Sequence, residues 1–145
     1  MHTAITTEPI DPAAVLDGLA APEDGAVLLF VGVVRDHADE RPVRGMRYEA
    51  YVPMAERELR SIGEEAVRRA GSDRLVIVHR IGELGIGEVS VAIAVATPHR
   101  AEAYETSRWI IEAIKRRLPV WKHEHYTDGG SAWVEGTDPS LQGAS

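Results

Sequence analysis

A run of basic side chains surrounds a Leu-Pro-Val-Trp segment late in the chain. The stretch KRRLPVWKHE, residues 115–124, contains Lys115, Arg116, Arg117, Lys122 and His123. A lysine that is partly buried and crowded by other positive charges has a lowered pKa, which allows its amine to act as a nucleophile or as an acid-base group. The alternative is ordinary, because cations in the last turn of a helix are stabilised by the helix dipole.

A second basic pair, His99 and Arg100, lies in TPHRAE, residues 97–102, where a predicted strand ends and a predicted helix begins. Cations there oppose the helix dipole, whereas the free amides of a helix N-terminus favour anions. The pair is therefore well explained by an oxyanion, such as phosphate, held between the two side chains and the amides. An exposed arginine beside a capping Thr97 is the alternative.

Gly32 lies inside a predicted strand in FVGVVRDH, residues 30–37, and Arg35 stands at the end of that strand. An interior glycine weakens a strand and often marks the close approach of a ligand or of another backbone. A simple β-bulge explains the same glycine equally well.

Two other motifs give no metal or nucleotide site. His123 and His125 could present two imidazoles on one strand face, but no third ligand is evident at useful spacing. We expect exposed histidines and no metal. The segment GELGIGE, residues 82–88, lacks GxGxxG and the GK[ST] of a P-loop, so it predicts a hairpin rather than a nucleotide cradle.

Strands and helices must position these residues. Residues 26–35 form a nearly continuous aliphatic run, typical of a strand covered on both faces, and the alternation in 45–51 predicts a strand with two different faces. A helix is predicted from about Pro53 to Ala70, stopped by Gly71, and two strands are predicted within residues 74–98. A second helix is predicted from about His99 to Leu118, ended by Pro119. It is followed by a strand at 120–126, after which the chain turns at DGG toward SAWVE. Some of the predicted strands follow one another directly along the chain, and others are separated by a helix. This mixture favours an α+β fold.

Composition limits the class of protein. A chain of 145 residues that is 44% hydrophobic suits one domain, residues 1–145, with a polar tail at 136–145 that we expect to be frayed. No segment has the apolar length of a membrane span, and the first ten residues lack the features of a secretory signal, so we expect a cytoplasmic protein without a membrane partner. The net charge of −7 argues against a nucleic-acid partner. Because cysteine is absent, any sulfur chemistry must import its sulfur.

Five ordered blocks carry a resemblance to a known family. They are FVGVVRDH, YEAYVPMAERELRSI, VIVHRIGELGIGEVSVAIAVATPHRAEA, IIEAIKRRLPVWKHE and WVEG, which together span about Ala26 to Glu135. In this order and spacing they resemble the large, catalytic subunit of molybdopterin synthase. The first 25 residues and the tail contribute little to the likeness.

The resemblance implies a fold, a reaction and partners. The fold is a single α+β domain with a mixed or antiparallel sheet and two long helices packed on it, of the hammerhead-like type. The implied enzyme is a homodimer that binds a small ubiquitin-like sulfur-carrier subunit at each end, giving a heterotetramer. Sulfur from the thiocarboxylated C-terminus of the carrier passes twice to cyclic pyranopterin monophosphate, which forms the dithiolene of molybdopterin. No cofactor is implied.

The same resemblance implies roles for individual residues. Lys115 matches the catalytic lysine, and Lys122 matches the second lysine of the KxxxPxWK pattern. The implied substrate-binding positions are Arg35, His99 and Arg100 for anions, with Phe30 and Met54 in matching blocks. One departure stands out: after WVE some members carry a basic residue that reaches the neighbouring protomer, whereas here Gly136, Thr137 and Asp138 follow. The charged loop 36–45 has no assigned role.

The length of the second helix predicts how the site is assembled. Between His99 and Lys115 a helix of about 17 residues spans roughly 25 Å at 1.5 Å per residue, and no proline or glycine lies there to kink it. We therefore expect His99 and Arg100 of one protomer to face Lys115 of the other; otherwise the two residues serve a different site.

Two other classes of function stay open. A non-catalytic module of the same fold could grip the tail of a ubiquitin-like protein, although arginine would be the better carboxylate fork at positions 115 and 122. An RNA-binding α+β domain is the third interpretation, which the acidic charge and the single phenylalanine disfavour.

Overall fold

A computed structural model describes residues 1–38 and 41–134 of the chain. The described residues form nine strands and three helices, in this order along the sequence: β1 (His2–Thr6), α1 (Pro12–Leu16), β2 (Ala26–Val33), β3 (His37–Ala38), β4 (Arg41–Ala50), α2 (Val52–Ala70), β5 (Leu75–Arg80), β6 (Gly82–Gly85), β7 (Val89–Thr97), α3 (Arg100–Arg117), β8 (Val120–Tyr126) and β9 (Ser131–Val134).

The first sheet has the strand order β1-β5-β7-β2. β1 runs parallel to β5, and the other two pairings are antiparallel. Ile77 of β5 lies opposite Ile93 of β7, and both are fully buried. They join Leu59 and Ile62 of α2 and Ile110 of α3 in one hydrophobic core, so the two long helices cover this sheet.

The second sheet is built around β4. Its partner β8 runs antiparallel along it, from Val43 opposite Tyr126 to Ala50 opposite Val120. β3 and β6 also pair with β4, and β9 pairs with β8. Because α3 leads directly into β8, this sheet places residues 120–126 next to the C-terminal end of α3.

Two glycines shape α2. At Gly71 the backbone has φ 64°, and its amide donates to the carbonyl of Val67, which is the left-handed helix end that glycine favours. Gly63 is buried inside the helix, and a Cβ there would lie 2.9 Å from both the Met1 sulfur and the Thr3 methyl. The absence of a side chain at Gly63 therefore lets β1 cross the helix closely.

The C-terminal end of α3 is fixed in two ways. Its last turn closes with the Leu118 amide donating to the Ile114 carbonyl at 2.9 Å, immediately before Pro119. Arg117 donates to Glu58 at 2.7 Å and to Glu65 at 3.0 Å, and both carboxylates belong to α2. These contacts fix the C-terminal end of α3 against α2.

The predicted α+β class is confirmed, as are both long helices. Three details of the prediction were wrong. The first 25 residues contain β1 and α1, which the sequence analysis did not predict, and β4 begins at Arg41 rather than at residue 45. GELGIGE is not a simple hairpin turn: β5 and β7 do pair, but Gly82–Gly85 between them forms β6 and joins β4. The predicted tail at 136–145 lies outside the described residues.

Candidate active site

Both lysines of the chain line one cavity of about 360 Å³. The cavity lies where the end of β2, the last turns of α3 and the middle of β8 meet. Its lining residues come from five parts of the chain: Phe30, Gly32, Val33, Val34 and Arg35 with His37 and Ala38, Met46 and Tyr48 of β4, Ser90 and Val91 of β7, Ile111 and Lys115 of α3, and Lys122, Glu124 and Val134 of the last two strands.

The corner at Pro119 brings the two lysines together. Lys115 lies in the last turn of α3, the chain turns at Leu118 and Pro119, and Lys122 follows two residues into β8. On β8 the side chains of Lys122, Glu124 and Tyr126 share one face because strand residues alternate. Lys122 stands directly opposite Tyr48 in the β4–β8 pairing, with its amine 6.0 Å from the centre of the Tyr48 ring.

The surroundings of Lys122 favour its uncharged amine. Burial lowers the pKa of Lys122 below its ordinary value, and the positive charges of Lys115 and Arg35 lower it further, whereas the Glu124 carboxylate opposes them. The cause is physical: removing an ammonium from water and placing other cations beside it both penalise the charged form. A larger share of Lys122 is therefore neutral, and nucleophilic, at a given pH than for an exposed lysine.

Glu124 and Tyr48 are site residues that the sequence analysis missed. Glu124 is 7% exposed and accepts a hydrogen bond of 3.2 Å from the Tyr126 hydroxyl. Burial raises the pKa of Tyr48, the Glu124 charge raises it further, and a hydrogen bond with Ser90 opposes both. The signal that could have found Glu124 is its two-residue spacing from Lys122.

A stronger signal was also present in the composition. The chain contains fourteen arginines but only two lysines, and both lysines are in the cavity. Arginine stays protonated in proteins, whereas lysine can lose its proton and react as an amine. The side chains able to do amine chemistry are thus concentrated at one place, while the other basic positions of the chain carry arginine or histidine.

Gly32 shapes the wall of the cavity that carries Phe30 and Arg35. The β2–β7 register shifts between Gly32 and Val33, and a Cβ at Gly32 would lie 2.7 Å from a methyl group of Val91. The Ser90 hydroxyl donates to the Gly32 carbonyl at 3.3 Å. The register shift fits the β-bulge interpretation of this glycine, whereas the atoms that approach it most closely belong to side chains and not to another backbone.

The structure places the three remaining predicted site residues elsewhere in this protomer. His99 caps the start of α3 and Arg100 is its first residue, and both are exposed. An 18-residue helix separates them from Lys115 by its length, roughly 25 Å at 1.5 Å per residue. Met54, in the first turn of α2, is 45% exposed and does not line the cavity. Thr97 does not cap α3, because its hydroxyl donates to the His99 carbonyl at 2.6 Å.

His123 and His125 face away from the cavity. His125 lies 3.1 Å from a Glu83 carboxylate oxygen, and the His123 ring stacks on Trp133 at 4.5 Å. Within residues 1–38 and 41–134 there is no group of three or more His, Asp or Glu side chains placed to hold a metal ion.

Sequence comparisons decide the family. The MoaE protein family model matches residues 5–117, most of the chain and including Lys115. The chain belongs to the MoaE family. It is 46% identical to the molybdopterin synthase catalytic subunit of Halalkalibacterium halodurans, over 90% of this chain and 83% of that protein. It is 41% identical to molybdopterin synthase catalytic subunit 1 of Mycobacterium tuberculosis, over 92% and 90%.

Structural comparison agrees with this MoaE assignment. The crystal structure of molybdopterin synthase from Staphylococcus aureus superposes with a TM-score of 0.84 at 40% identity, covering 90% of this chain and 95% of that one. The family match ends at Arg117, so Lys122 lies just beyond it. Among the described residues no helix has the length and apolar character needed to cross a bilayer.

Proposed function

We propose that the cavity is the active site of a molybdopterin synthase catalytic subunit. There, sulfur leaves the C-terminal thiocarboxylate of a small ubiquitin-like carrier protein and is transferred to cyclic pyranopterin monophosphate, and two such transfers make the dithiolene of molybdopterin. The observation that carries the proposal is the placement of both lysines, Lys115 and Lys122, with Arg35 in one cavity of about 360 Å³. Membership of the MoaE family supports the same reaction.

Each cation has a distinct use in this reaction. Arg35 keeps its charge and presents a planar fork of donors, which suits the cyclic phosphate of the pterin or the carboxylate end of the carrier tail. Lys122, with its lowered pKa, supplies an amine that can accept a proton or attack the carrier's carbonyl carbon. Lys115 faces the same space from the helix end, where its amine can protonate a leaving group or bind the carrier tail.

The absence of cysteine fits a carrier-dependent reaction. The chain has no thiol of its own to hold sulfur as a persulfide or thioester. The sulfur atom must therefore enter with a second molecule, and the cavity has to admit both a peptide tail and the pterin. In this proposal a homodimer of this chain binds one carrier at each end, as a heterotetramer.

The proposed dimer also completes the anion site. Since His99 and Arg100 lie at the far end of α3 from Lys115, one protomer does not bring all of them to a single small substrate. In the proposed arrangement His99 and Arg100 of the neighbouring protomer reach the cavity and bind the phosphate together with Arg35. Met54 lies outside the cavity in this protomer, and we propose that it contacts the carrier or the partner surface instead.

Reconstitution tests the proposed reaction. Purified protein, thiocarboxylated carrier and cyclic pyranopterin monophosphate are mixed and molybdopterin is assayed. We expect Lys115→Ala to lower product formation at least about a hundredfold, as removal of an acid-base or nucleophilic group does. Arg116→Ala is the matched control, because Arg116 is the next residue, is also exposed and does not line the cavity.

Three results would contradict the proposal. Product formation by Lys115→Ala at the wild-type rate would remove the assigned chemistry. An equal loss in Arg116→Ala would show that general charge at the helix end, not the cavity amine, is what matters. If the wild-type protein bound the carrier tightly but made no product, it would be a binding module rather than an enzyme.

A further inference from the structure

One buried titratable side chain near the lysines has no part in the reaction proposed above. His79 lies on β5, where Leu75, Ile77 and His79 alternate as the buried face of the strand. Leu75 and Ile77 fill the hydrophobic core, whereas His79 places an imidazole at the next equivalent position and is 7% exposed. A buried polar side chain has an energetic cost that an aliphatic residue would avoid.

The ring of His79 is uncharged and held in one orientation. Its Nδ1 lies 2.9 Å from the Arg80 carbonyl oxygen, and since a carbonyl can only accept, Nδ1 carries the hydrogen. Burial lowers the pKa of His79 to about 4, the hydrogen bond to Arg80 opposes this, and the charges of Lys122 and Lys115 lower it further. At neutral pH the imidazole therefore adds no charge to the lysine pair, and its Nε2 carries a lone pair.

Tyr48 connects this ring to the cavity. The His79 and Tyr48 rings meet edge to face, with centroids 5.5 Å apart and planes at 75°. Tyr48 lines the cavity, whereas His79 does not. Tyr48 also faces Lys122, its direct neighbour across the β4–β8 pairing, with the amine 6.0 Å from the ring centre. Tyr48 is thus in contact with the buried imidazole of His79 and stands beside the amine of Lys122.

Other groups facing this set explain why a rigid support is needed. Lys115 approaches from α3, Glu124 from β8 and Arg35 from the end of β2. Their charges pull the Lys122 amine in different directions, because like charges repel it and the carboxylate attracts it. A Tyr48 ring that could tilt would let the amine follow these forces, and loss of reacting geometry of about 1 Å costs up to about a hundredfold in rate.

We propose that His79 is a positioning residue that acts through Tyr48: its ring fixes the Tyr48 ring, which in turn sets where the Lys122 amine lies in the cavity. His79 does not contact substrate in this scheme and transfers no proton. The inference deepens the proposed function, since it rests on Lys122 being part of the reaction.

Paired substitutions test whether the ring contact is what matters. His79→Leu and His79→Phe both lose the hydrogen bond to Arg80, but only phenylalanine keeps a ring against Tyr48. We expect His79→Leu to lower kcat about tenfold with little change in KM, as expected for a displaced reacting group, and His79→Phe to lose at least several-fold less. Ile77→Val is the control, because it trims the same buried face of β5 and leaves the His79 ring in place.

A second readout does not depend on the reaction. The chain has two lysines and one N-terminal amine, so acetic anhydride labelling followed by mass spectrometry gives the reactivity of Lys122 relative to the N-terminus. We expect this ratio to change about threefold or more in His79→Leu, in step with the displacement expected of the amine, and to change less in His79→Phe and in Ile77→Val. If the wild-type protein makes no molybdopterin but the Lys122 ratio still changes in His79→Leu, the positioning role is supported and only the proposed function is rejected.

Two outcomes would overturn the inference. One is an equal effect of Leu and Phe on kcat and on Lys122 labelling, which would show that the ring contact is irrelevant. The other is an unchanged Lys122 ratio in His79→Leu. If His79→Leu does not fold, His79→Met replaces it, since the flexible side chain of methionine fills the same space without a ring, and the comparison with His79→Phe decides in the same way.

Discussion

At the scale of single residues, the cavity combines groups whose environments move their protonation in known directions. Burial lowers the pKa of Lys122 and of His79 and raises the pKa of Tyr48. Glu124 is buried close enough to Lys122 for its charge to oppose the lysine's shift. The result is a cavity in which the positive charges of Lys115 and Arg35 face an amine at Lys122 that loses its proton more readily than an exposed lysine.

His79 also makes the stability of the fold depend on pH. Its pKa of about 4 in the folded protein lies below the ordinary 6.5, so between these values the unfolded chain binds a proton that the folded chain does not. The contribution is therefore fully present above pH 6.5 and is lost as pH falls from 6.5 through 4. At pH 4 the loss amounts to about 3 kcal/mol.

Urea unfolding at pH 7 and pH 4 measures this contribution. We expect the difference in unfolding free energy between the two pH values to be smaller in His79→Leu than in the wild type, by about 3 kcal/mol. His2→Gln, which removes an exposed histidine, should leave the difference unchanged. An equal pH dependence in wild type and His79→Leu would contradict a buried neutral His79.

At the scale of elements, the bulge in β2 positions one wall of the cavity. A methyl group added at Gly32 meets Val91 at 2.7 Å, a distance at which something must move. We expect Gly32→Ala to destabilise the fold by about 1–3 kcal/mol, as overpacking does, and to lower activity because Phe30 lies on β2 and Arg35 follows two residues after its end. In Gly85→Ala the methyl meets Glu88 at 3.5 Å, an ordinary contact, so this variant is the control.

Thermal unfolding and the reconstituted assay together decide this prediction. Gly32→Ala with the wild-type midpoint and full activity would show that β2 relaxes freely around the bulge. A similar loss of stability in Gly85→Ala would show that any added methyl group in the sheets has this effect, and the specific contact with Val91 would lose its importance.

The elements also show how far sequence reasoning reaches. Helices α2 and α3 were predictable because Leu59, Ile62 and Ile110 recur at the helical period and Gly71 and Pro119 stop the chain. β1 was not, because HTAIT is short and its place is set by parallel pairing with β5 and by the space at Gly63, which are contacts distant in sequence. β6 was missed for the same reason, since the glycine-rich GELG becomes a strand only by pairing with β4.

The candidate site was predictable in part. The residue types and the Pro119 corner indicated that Lys115 and Lys122 could meet, and the structure brings them to one cavity with Arg35 and Phe30. The roles of these residues stay predictions. His79 and Tyr48 could not be found from the sequence, because each reads as an ordinary member of an alternating strand, and only the packing of β5 against β4 places them behind Lys122.

At the scale of the whole molecule, the length of α3 sets the architecture that we propose. The helix contains no proline or glycine that would kink it, and its length separates Arg100 from Lys115 by roughly 22 Å at 1.5 Å per residue. A two-fold dimer is the commonest closed assembly, and its symmetry would place Arg100 of each protomer near the cavity of the other if the helices cross the axis. Two complete cavities would then form, each with Lys115 from one chain and Arg100 from its partner.

Complementation between two inactive variants tests the shared cavity. We expect Lys115→Ala and Arg100→Ala to be inactive as separate dimers. After subunit exchange, half of the dimers carry one chain of each kind, and in these one of the two cavities combines an intact Lys115 with an intact Arg100. The mixture should therefore recover about a quarter of the wild-type activity.

The control distinguishes this recovery from residual activity. Mixing Lys115→Ala with Lys122→Ala restores nothing in the proposed arrangement, because both lysines of a cavity come from the same protomer. Every mixed dimer therefore has one defective lysine in each of its two cavities. Light scattering before mixing establishes that each variant is a dimer. If the Lys115→Ala and Arg100→Ala dimers exchange subunits and the mixture stays inactive, Arg100 does not act in the partner's cavity, and His99 and Arg100 serve a different site.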